Sequence, residues 1–354
     1  WRNATVRIAR FGDTLTLHRG PLVPSSRPLS PPRIAPINGS LLLDFAETLG
    51  RFMPEAEGRA VDPALLERAA PRFGSPMARE HTEWLARSGV TSVGAYNEVC
   101  IGRRASALIR ASEGFHEKSI GRIADRIAEA RDRVRIIAVA GPSSSGKTTF
   151  IKRLTVQLQV NGLLPEGLSL DDYYRPRAEI PEVGGEKDFE APAALRTDLL
   201  REHVARLLAG EAVRTARYDF LTGMSHEAGG RALSVPPGHL LLVEGIHGLN
   251  PSLFAGVIPE SAVFRIFVHP ATTLPFDRLA HLAPADVRLV RRIVRDRHHR
   301  GFAAAETIRR WPSVRRGERV HIFPYLVHAD AVFDSALVYE LSVLKVFAEQ
   351  YLLE

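Results

Sequence analysis

One cysteine, Cys100, in 354 residues excludes an internal disulfide and any zinc site built from several thiolates. That scarcity fits a reducing compartment, so a cytoplasmic protein is expected. Long apolar runs are also missing. Stretches such as residues 240–243 fall far short of the ~18 residues a membrane span needs. No unit recurs at a fixed period, and a hydrophobic content of 45% with 25% charged residues supports neither global disorder nor a fibrous class. The chain opens on Trp1 with neither a methionine nor a signal-peptide pattern, which leads us to expect a preceding segment. Lysine is sparse beside arginine, and the net charge of +7 is spread along the chain. A small anionic substrate accounts for it as well as nucleic acid or a membrane surface would. The length fits two domains, or one enlarged by insertions.

What the sequence does have is concentrated around residues 135–150, RIIAVAGPSSSGKTTF. Five apolar residues of buried-strand type run into Gly141-Pro-Ser143-Ser144-Ser145-Gly146-Lys147-Thr148, the spacing G-x-x-x-x-G-K-[ST], and a helical pattern follows. Such a loop wraps so that its N–H groups converge on phosphate oxygens at the positive end of the next helix. Residues 141–149 are therefore expected to hold a nucleoside triphosphate, ATP or another, with Lys147 on the β/γ-phosphates and Thr148 on Mg²⁺.

Upstream, residues 1–40 alternate weakly and turn proline-rich, which predicts a short β segment and an extended stretch. A helical pattern runs from 63 to 88 and continues from 93 to 109. His81 and His116 lack a partner at i+4 or a nearby cysteine, so surface or core histidines are expected rather than metal ligands. In residues 116–134 Ile120, Ile123, Ile127 and Val134 share one stripe opposite charges, an amphipathic helix. A domain boundary is expected at its start, giving an N-terminal unit of residues 1–115 and a second unit of 116–354. Downstream, strands at 168–170, 239–246, 262–268 and 331–333 alternate with helices at 147–159, 193–209 and 339–353. Near-continuous apolar strands between helices predict an α/β fold, a mainly parallel sheet covered on both faces. Ligands then sit off the carboxyl ends of the strands.

Three groups fall at such ends. Glu244 closes an apolar strand, where Mg²⁺ bound beside Thr148 needs a hard anionic oxygen. In SLDDYY (169–174), one carboxylate could accept a proton from an attacking hydroxyl while aromatic rings stack on a planar group; a plain Asp-Asp turn is the alternative. In DVRLVRRIVRD (286–296), Arg288, Arg291, Arg292 and Arg295 fall within about 100° on a helical wheel, with Leu289, Val290, Ile293 and Val294 opposite. This is the pattern of a lid that brings cations to transferring phosphates, although a solvated basic face or an RNA-binding helix reads similarly.

With GPSSSGKTT, SLDDYY, KDFEAP (187–192), ARYDF (216–220), LLVEGIHGL (241–249) and DVRLVRRIVRDRHHRG (286–301) in this order, residues 115–354 resemble the uridine kinase/phosphoribulokinase family. GPLVPSS (20–26) and FHEKSIGRIADRI (115–127) resemble the N-terminal extension of uridine-kinase-related proteins, which in longer members is similar to accessory domains of threonyl-tRNA synthetase. The resemblance implies a P-loop kinase fold plus a smaller N-terminal α+β domain. It implies transfer of the γ-phosphoryl group of ATP to the 5′-hydroxyl of a nucleoside, most simply uridine. Asp171 is then the general base, and Asp188 holds the ribose hydroxyls. Tyr174, Tyr218 and Phe220 line the nucleoside pocket, Thr148 and Glu244 serve Mg²⁺, and Arg288 and Arg291 clamp substrate and phosphates. Where the family carries a pocket histidine this chain has Gly223, and where it carries a glutamine on the helix after the arginines this chain has Glu306. The base of the acceptor therefore stays open. Another sugar-like or pantothenate-like alcohol, or an NTP-binding, RNA-associated module, are the competing readings. A homo-oligomer is compatible with the sequence, and no membrane partner is expected.

Overall fold

The computed structural model describes residues 76–183, 185–276 and 282–354, together with four short strands upstream. Those strands form two antiparallel pairs, Ile8–Phe11 with Thr14–Leu17 and Arg33–Ile37 with Ser40–Asp44. Most of the proline-rich stretch, up to Arg33, and the start of the helical pattern at 63 lie outside the described residues.

The core is a five-stranded, fully parallel sheet. Its strands are β1 (Ile136–Ala140), β2 (Pro165–Ser169), β3 (Leu240–Glu244), β4 (Val263–His269) and β5 (Ala331–Asp334), in the spatial order β5-β4-β1-β3-β2. The helices are α1 (Pro76–Arg87), α2 (Val93–Ile101), α3 (Ala105–Glu129), α4 (Lys147–Val160), α5 (Thr197–Leu208), α6 (Pro284–Arg300), α7 (Ala304–His321) and α8 (Glu340–Leu353). Alternate residues of each strand face opposite layers. Ile137, Val139, Leu242 and Ile266 pack with Ile120, Ile123 and Ile127 of α3 and with Phe150 and Leu154 of α4. Ile136, Ala138, Leu241 and Val243 pack instead with Leu200, Val204 and Leu207 of α5. Both faces are covered, which is why these strands read as unbroken apolar runs. In register, Glu244 lies beside Val139 on one side and Ser169 on the other, so the ends of β1, β2 and β3 open onto one edge.

One expectation upstream of β1 is corrected. The helical pattern from 93 to 109 is interrupted, because Gly102 caps α2 and Arg103 takes a left-handed φ of 57° before α3 starts. The boundary expected near residue 115 falls inside α3, which runs unbroken from Ala105 to Glu129. The stripe does continue upstream, but through buried Ser112 and His116, so hydrophobicity alone hid it. Residues before 115 also pack downstream. Leu85, Val90, Tyr96, Val99 and Leu108 share a cluster with Val338, and each such side chain withdrawn from water is worth ~1.5–3 kcal/mol.

Candidate active site

Off the carboxyl ends of the sheet lies a cavity of about 1100 Å³. Its floor is the phosphate loop joining β1 to α4. Gly141 is required there, since a Cβ would come within 2.2 Å of the Val268 carbonyl at the end of β4. Residues 143–149 line the cavity with Asp171, Tyr174, Asp188, Glu190, Phe220, Glu244 and four arginines of α6, Arg291, Arg292, Arg295 and Arg300. Lys147 Nζ donates to Gly141 O at 3.0 Å. Burial presses the Lys147 pKa down while Glu244 and Asp171 press it back up, the setting of a cation waiting for an anion. Thr148 Oγ1 donates to Glu244 Oε1 at 2.8 Å, and burial raises the Glu244 pKa. Ser144 Oγ and Ser145 Oγ are buried without a hydrogen-bond partner among the described residues. One hydroxyl, one carboxylate and unmatched loop groups suit a phosphate-bound Mg²⁺, which takes only one or two protein oxygens and completes its shell with phosphate and water.

On the other side of the cavity, β2 runs into a short 3₁₀ turn, Leu170–Tyr173, with Ser169 Oγ accepting from Asp171 N. The turn separates the two aspartates: Asp171 faces the cavity, and Asp172 faces a smaller cleft bounded by Thr215, Arg217 and Arg231. Tyr174 and Phe220 line the cavity with Phe189. Tyr218 packs between the first two, with ring centroids 5.5 Å from Tyr174 and 4.9 Å from Phe220, and supports that wall from behind. Asp188 lines the cavity but lies 3.5 Å from His321 Nε2, and that hydrogen bond holds its pKa below the usual carboxylate range. Glu190, two residues on, was missed by sequence reasoning. One of its carboxylate oxygens is buried with no partner among the described residues, and burial raises its pKa to about 7 against the pull of Arg292 and Lys147. In an extended segment residues 188 and 190 share a face, so the pattern could not separate them.

Two further positions differ from expectation. Gly223 has φ +76° and its missing side chain is replaced by Arg177, whose Cβ lies 2.8 Å from where a Gly223 Cβ would stand; Arg177 lines the cavity and donates to Phe220 O at 2.6 Å. Glu306 is paired with Arg310 at 3.1 Å on α7; Arg310 lines the cavity, and Glu306 is not among its lining residues.

The arginine helix is docked on the phosphate loop, but its stripe is divided. Arg288, expected to clamp substrate, is fully buried. It forms a bidentate pair with Glu318 of α7, lies 5.3 Å from the Trp311 ring centroid and donates to Ser143 O at 3.1 Å. The correction has a simple cause: α7 covers this face, and a guanidinium can be buried only against a matched carboxylate. Arg291 is paired with Glu340 and Ser335 and reaches Ser144 O at 3.4 Å. Arg292, Arg295 and Arg300 all lean on one buried carboxylate, Asp296, at 3.2, 2.7 and 3.8 Å, and all three line the cavity, where they leave excess positive charge. Arg300, outside the predicted stripe, lies 4.9 Å from the Phe220 ring centroid.

A parallel sheet in this strand order, a glycine-lysine-threonine phosphate loop and an arginine-bearing helix over it define a phosphate-loop α/β kinase. Residues 136–342 match the sequence profile of the Phosphoribulokinase / Uridine kinase family, and the chain belongs to that family. It is 32% identical over 177 residues to the uridine kinase of Deinococcus deserti, spanning 50% of this chain and 75% of that protein. To the uridine kinase of Brevibacillus brevis it is 28% identical over 199 residues, 56% of this chain and 83% of that protein. The chain is accordingly a phosphotransferase acting on an alcohol acceptor. His81, His116 and the rest of α1–α3 lie upstream of the matched residues.

Proposed function

We propose that this chain transfers the γ-phosphoryl group of ATP, or another NTP held with Mg²⁺, to a hydroxyl of a nucleoside, the 5′-hydroxyl of uridine being the simplest case. The observation that carries the reading is that Asp171 and Lys147 line one cavity, with an aromatic wall of Tyr174, Phe189 and Phe220 beside them. The acceptor oxygen attacks phosphorus in line as the β–γ bridging bond breaks. Asp171 takes the hydroxyl proton, and the nucleoside diphosphate leaves. Phosphoryl transfer asks little covalent chemistry of the protein; positioning and charge do most of the work. Lys147, Arg292, Arg295 and Arg300 supply cation charge at the transferring group. Thr148 and Glu244 would hold Mg²⁺, which when bound neutralises the β- and γ-oxygens. Glu190, rather than Asp188, is free to accept hydrogen bonds from a sugar diol, since Asp188 is engaged with His321.

A second acceptor class, a small sugar-like or pantothenate-like alcohol, is favoured by one feature: Arg177 stands at the acceptor wall while Glu306 is engaged by Arg310 and is not among the lining residues. Acceptor-dependent ADP release, screened over uridine, cytidine, purine nucleosides, pantothenate and small polyols, tests the reading. Release that rises with a nucleoside supports it. A response to pantothenate or a polyol alone moves the acceptor class, and acceptor-independent turnover stimulated by RNA overturns the kinase reading.

A further inference from the structure

The cavity has a direction. The phosphate loop follows the central strand β1, and Asp171 follows β2 at one edge of the sheet. With phosphates over β1 and the acceptor over β2, the sugar and base of the donor must extend toward β5 at the opposite edge. The end of β5 and the chain after it form that end, where Phe333, Ser335, Leu337 and Glu340 line the cavity together with His116 and Ile120 of α3.

This segment is held from two sides. Toward the phosphate loop, Ser335 Oγ donates to Ser145 O at 2.5 Å, and Arg291 donates to Ser335 O at 2.8 Å. Away from it, His81 Nδ1 of α1 donates to Asp334 Oδ2 at 3.2 Å, and His116 Nε2 of α3 donates to Ala336 O at 2.9 Å. Asp334 is itself the anchor of the neighbouring turn, accepting from the N–H groups of Ala271, Thr272 and Ala336. Burial lowers the His116 pKa to about 4, so near neutral pH the ring is uncharged and its one proton is committed to Ala336 O. Stacking against Phe115 and Trp84 fixes the His81 ring.

We propose that His81 and His116 are positioning residues for the nucleotide donor: the helices upstream of β1 grip residues 334–336 through them and so shape the donor end of the cavity. This rests on the donor reading above, and it assigns the region before β1 a part in nucleotide binding that lies outside the residues the family profile matches. Ordinary core histidines would contribute packing and nothing more, and the two cases separate experimentally.

The test is calorimetric titration of the full chain with Mg²⁺ and ADP, alongside thermal unfolding. His116→Phe keeps the ring bulk and loses the donor, whereas His116→Gln returns an N–H near the position of Nε2. His116→Phe should weaken ADP by about tenfold, the worth of one hydrogen bond of about 1.4 kcal/mol. His116→Gln should bind within about twofold of the unaltered chain, that being under half of the same energy. His81→Phe should weaken ADP and His81→Asn restore it; if His81→Phe does not fold, the His116 pair decides. Unchanged ADP affinity in His116→Phe, or equal weakening in His116→Phe and His116→Gln, overturns the proposal. An unaltered chain that binds no ADP overturns the donor reading itself.

Discussion

The donor and acceptor halves proposed for this cavity are assembled from different materials. The phosphate side proposed for the donor is one contiguous loop, residues 141–149, of which 143–149 line the cavity, and such a loop binds phosphate chiefly through backbone N–H groups. The acceptor half draws Asp171, Arg177, Glu190, Phe220 and Arg300 from separate segments. A backbone site depends on glycine spacing and strand-to-helix geometry, and tolerates change elsewhere. A side-chain site depends on each residue's own support, so neighbouring residues of one type end up with unlike roles.

The largest effects should come from single atoms at the seam of the two halves. Lys147→Ala should lower kcat by about 10²–10³-fold or more, comparable with loss of one preorganised donor at a developing charge. Asp171→Asn should lower it by about 10²–10⁴-fold with donor affinity little changed, because the amide keeps the shape and cannot take the proton. Asp172→Asn, facing the other cleft, should cost far less. Steady-state kinetics on the three variants check this; a greater loss at Asp172 would break the assignment of the two aspartates to opposite sides.

Arg288 and Arg300 sharpen the comparison on one helix. Arg288→Ala leaves buried Glu318 with Arg315, at 2.8 Å, as its remaining cation, so denaturant unfolding should show a loss of up to ~3–5 kcal/mol. Arg300→Ala should change stability far less and raise the acceptor KM. Equal effects of the two on stability would mean that the stripe is a single surface after all.

The smallest effect concerns Glu190, whose pKa rises from an ordinary 4.5 to about 7. A raised folded-state value means that the fold holds a proton the unfolded chain has released. Stability is thus fully present below pH ~4.5 and falls as pH rises toward 7. Glu190→Gln removes that dependence. Its advantage in unfolding free energy over the unaltered chain should grow by about 2 kcal/mol between pH 5 and pH 8, at ~1.4 kcal/mol per unit. A gap that does not change with pH would show that Glu190 is solvated and is not the buried acceptor-side carboxylate.

Legibility followed the range of the interactions. The parallel sheet, its coverage on both faces and the phosphate loop were readable because each rests on local period and spacing: five buried residues in β1, then the glycine-lysine-threonine turn. Glu190 was not readable, since nothing within KDFEAP tells it from Asp188; His321, far along the chain, takes one carboxylate and leaves the other to the cavity. Nor was Arg288 distinguishable from its neighbours on a helical wheel, because its fate depends on Glu318 and Trp311 of α7. A boundary at 115 looked natural from hydrophobic periodicity, which registers apolar side chains and passes over a buried histidine bonded to a carbonyl.

Residue types at short spacing, by themselves, determined that this chain makes a phosphate loop between a buried strand and a helix, because glycine stereochemistry and strand burial act over a few residues. Tertiary structure alone decided which arginines face the cavity, which cavity carboxylate keeps an oxygen without a partner among the described residues, and that α3, upstream of β1, reaches the end of the cavity beside β5. The pair His81–Asp334 spans 253 positions and His116–Ala336 spans 220. Over such distances no local pattern records which polar groups will be buried together, because the partner that satisfies each is supplied only when the layers close.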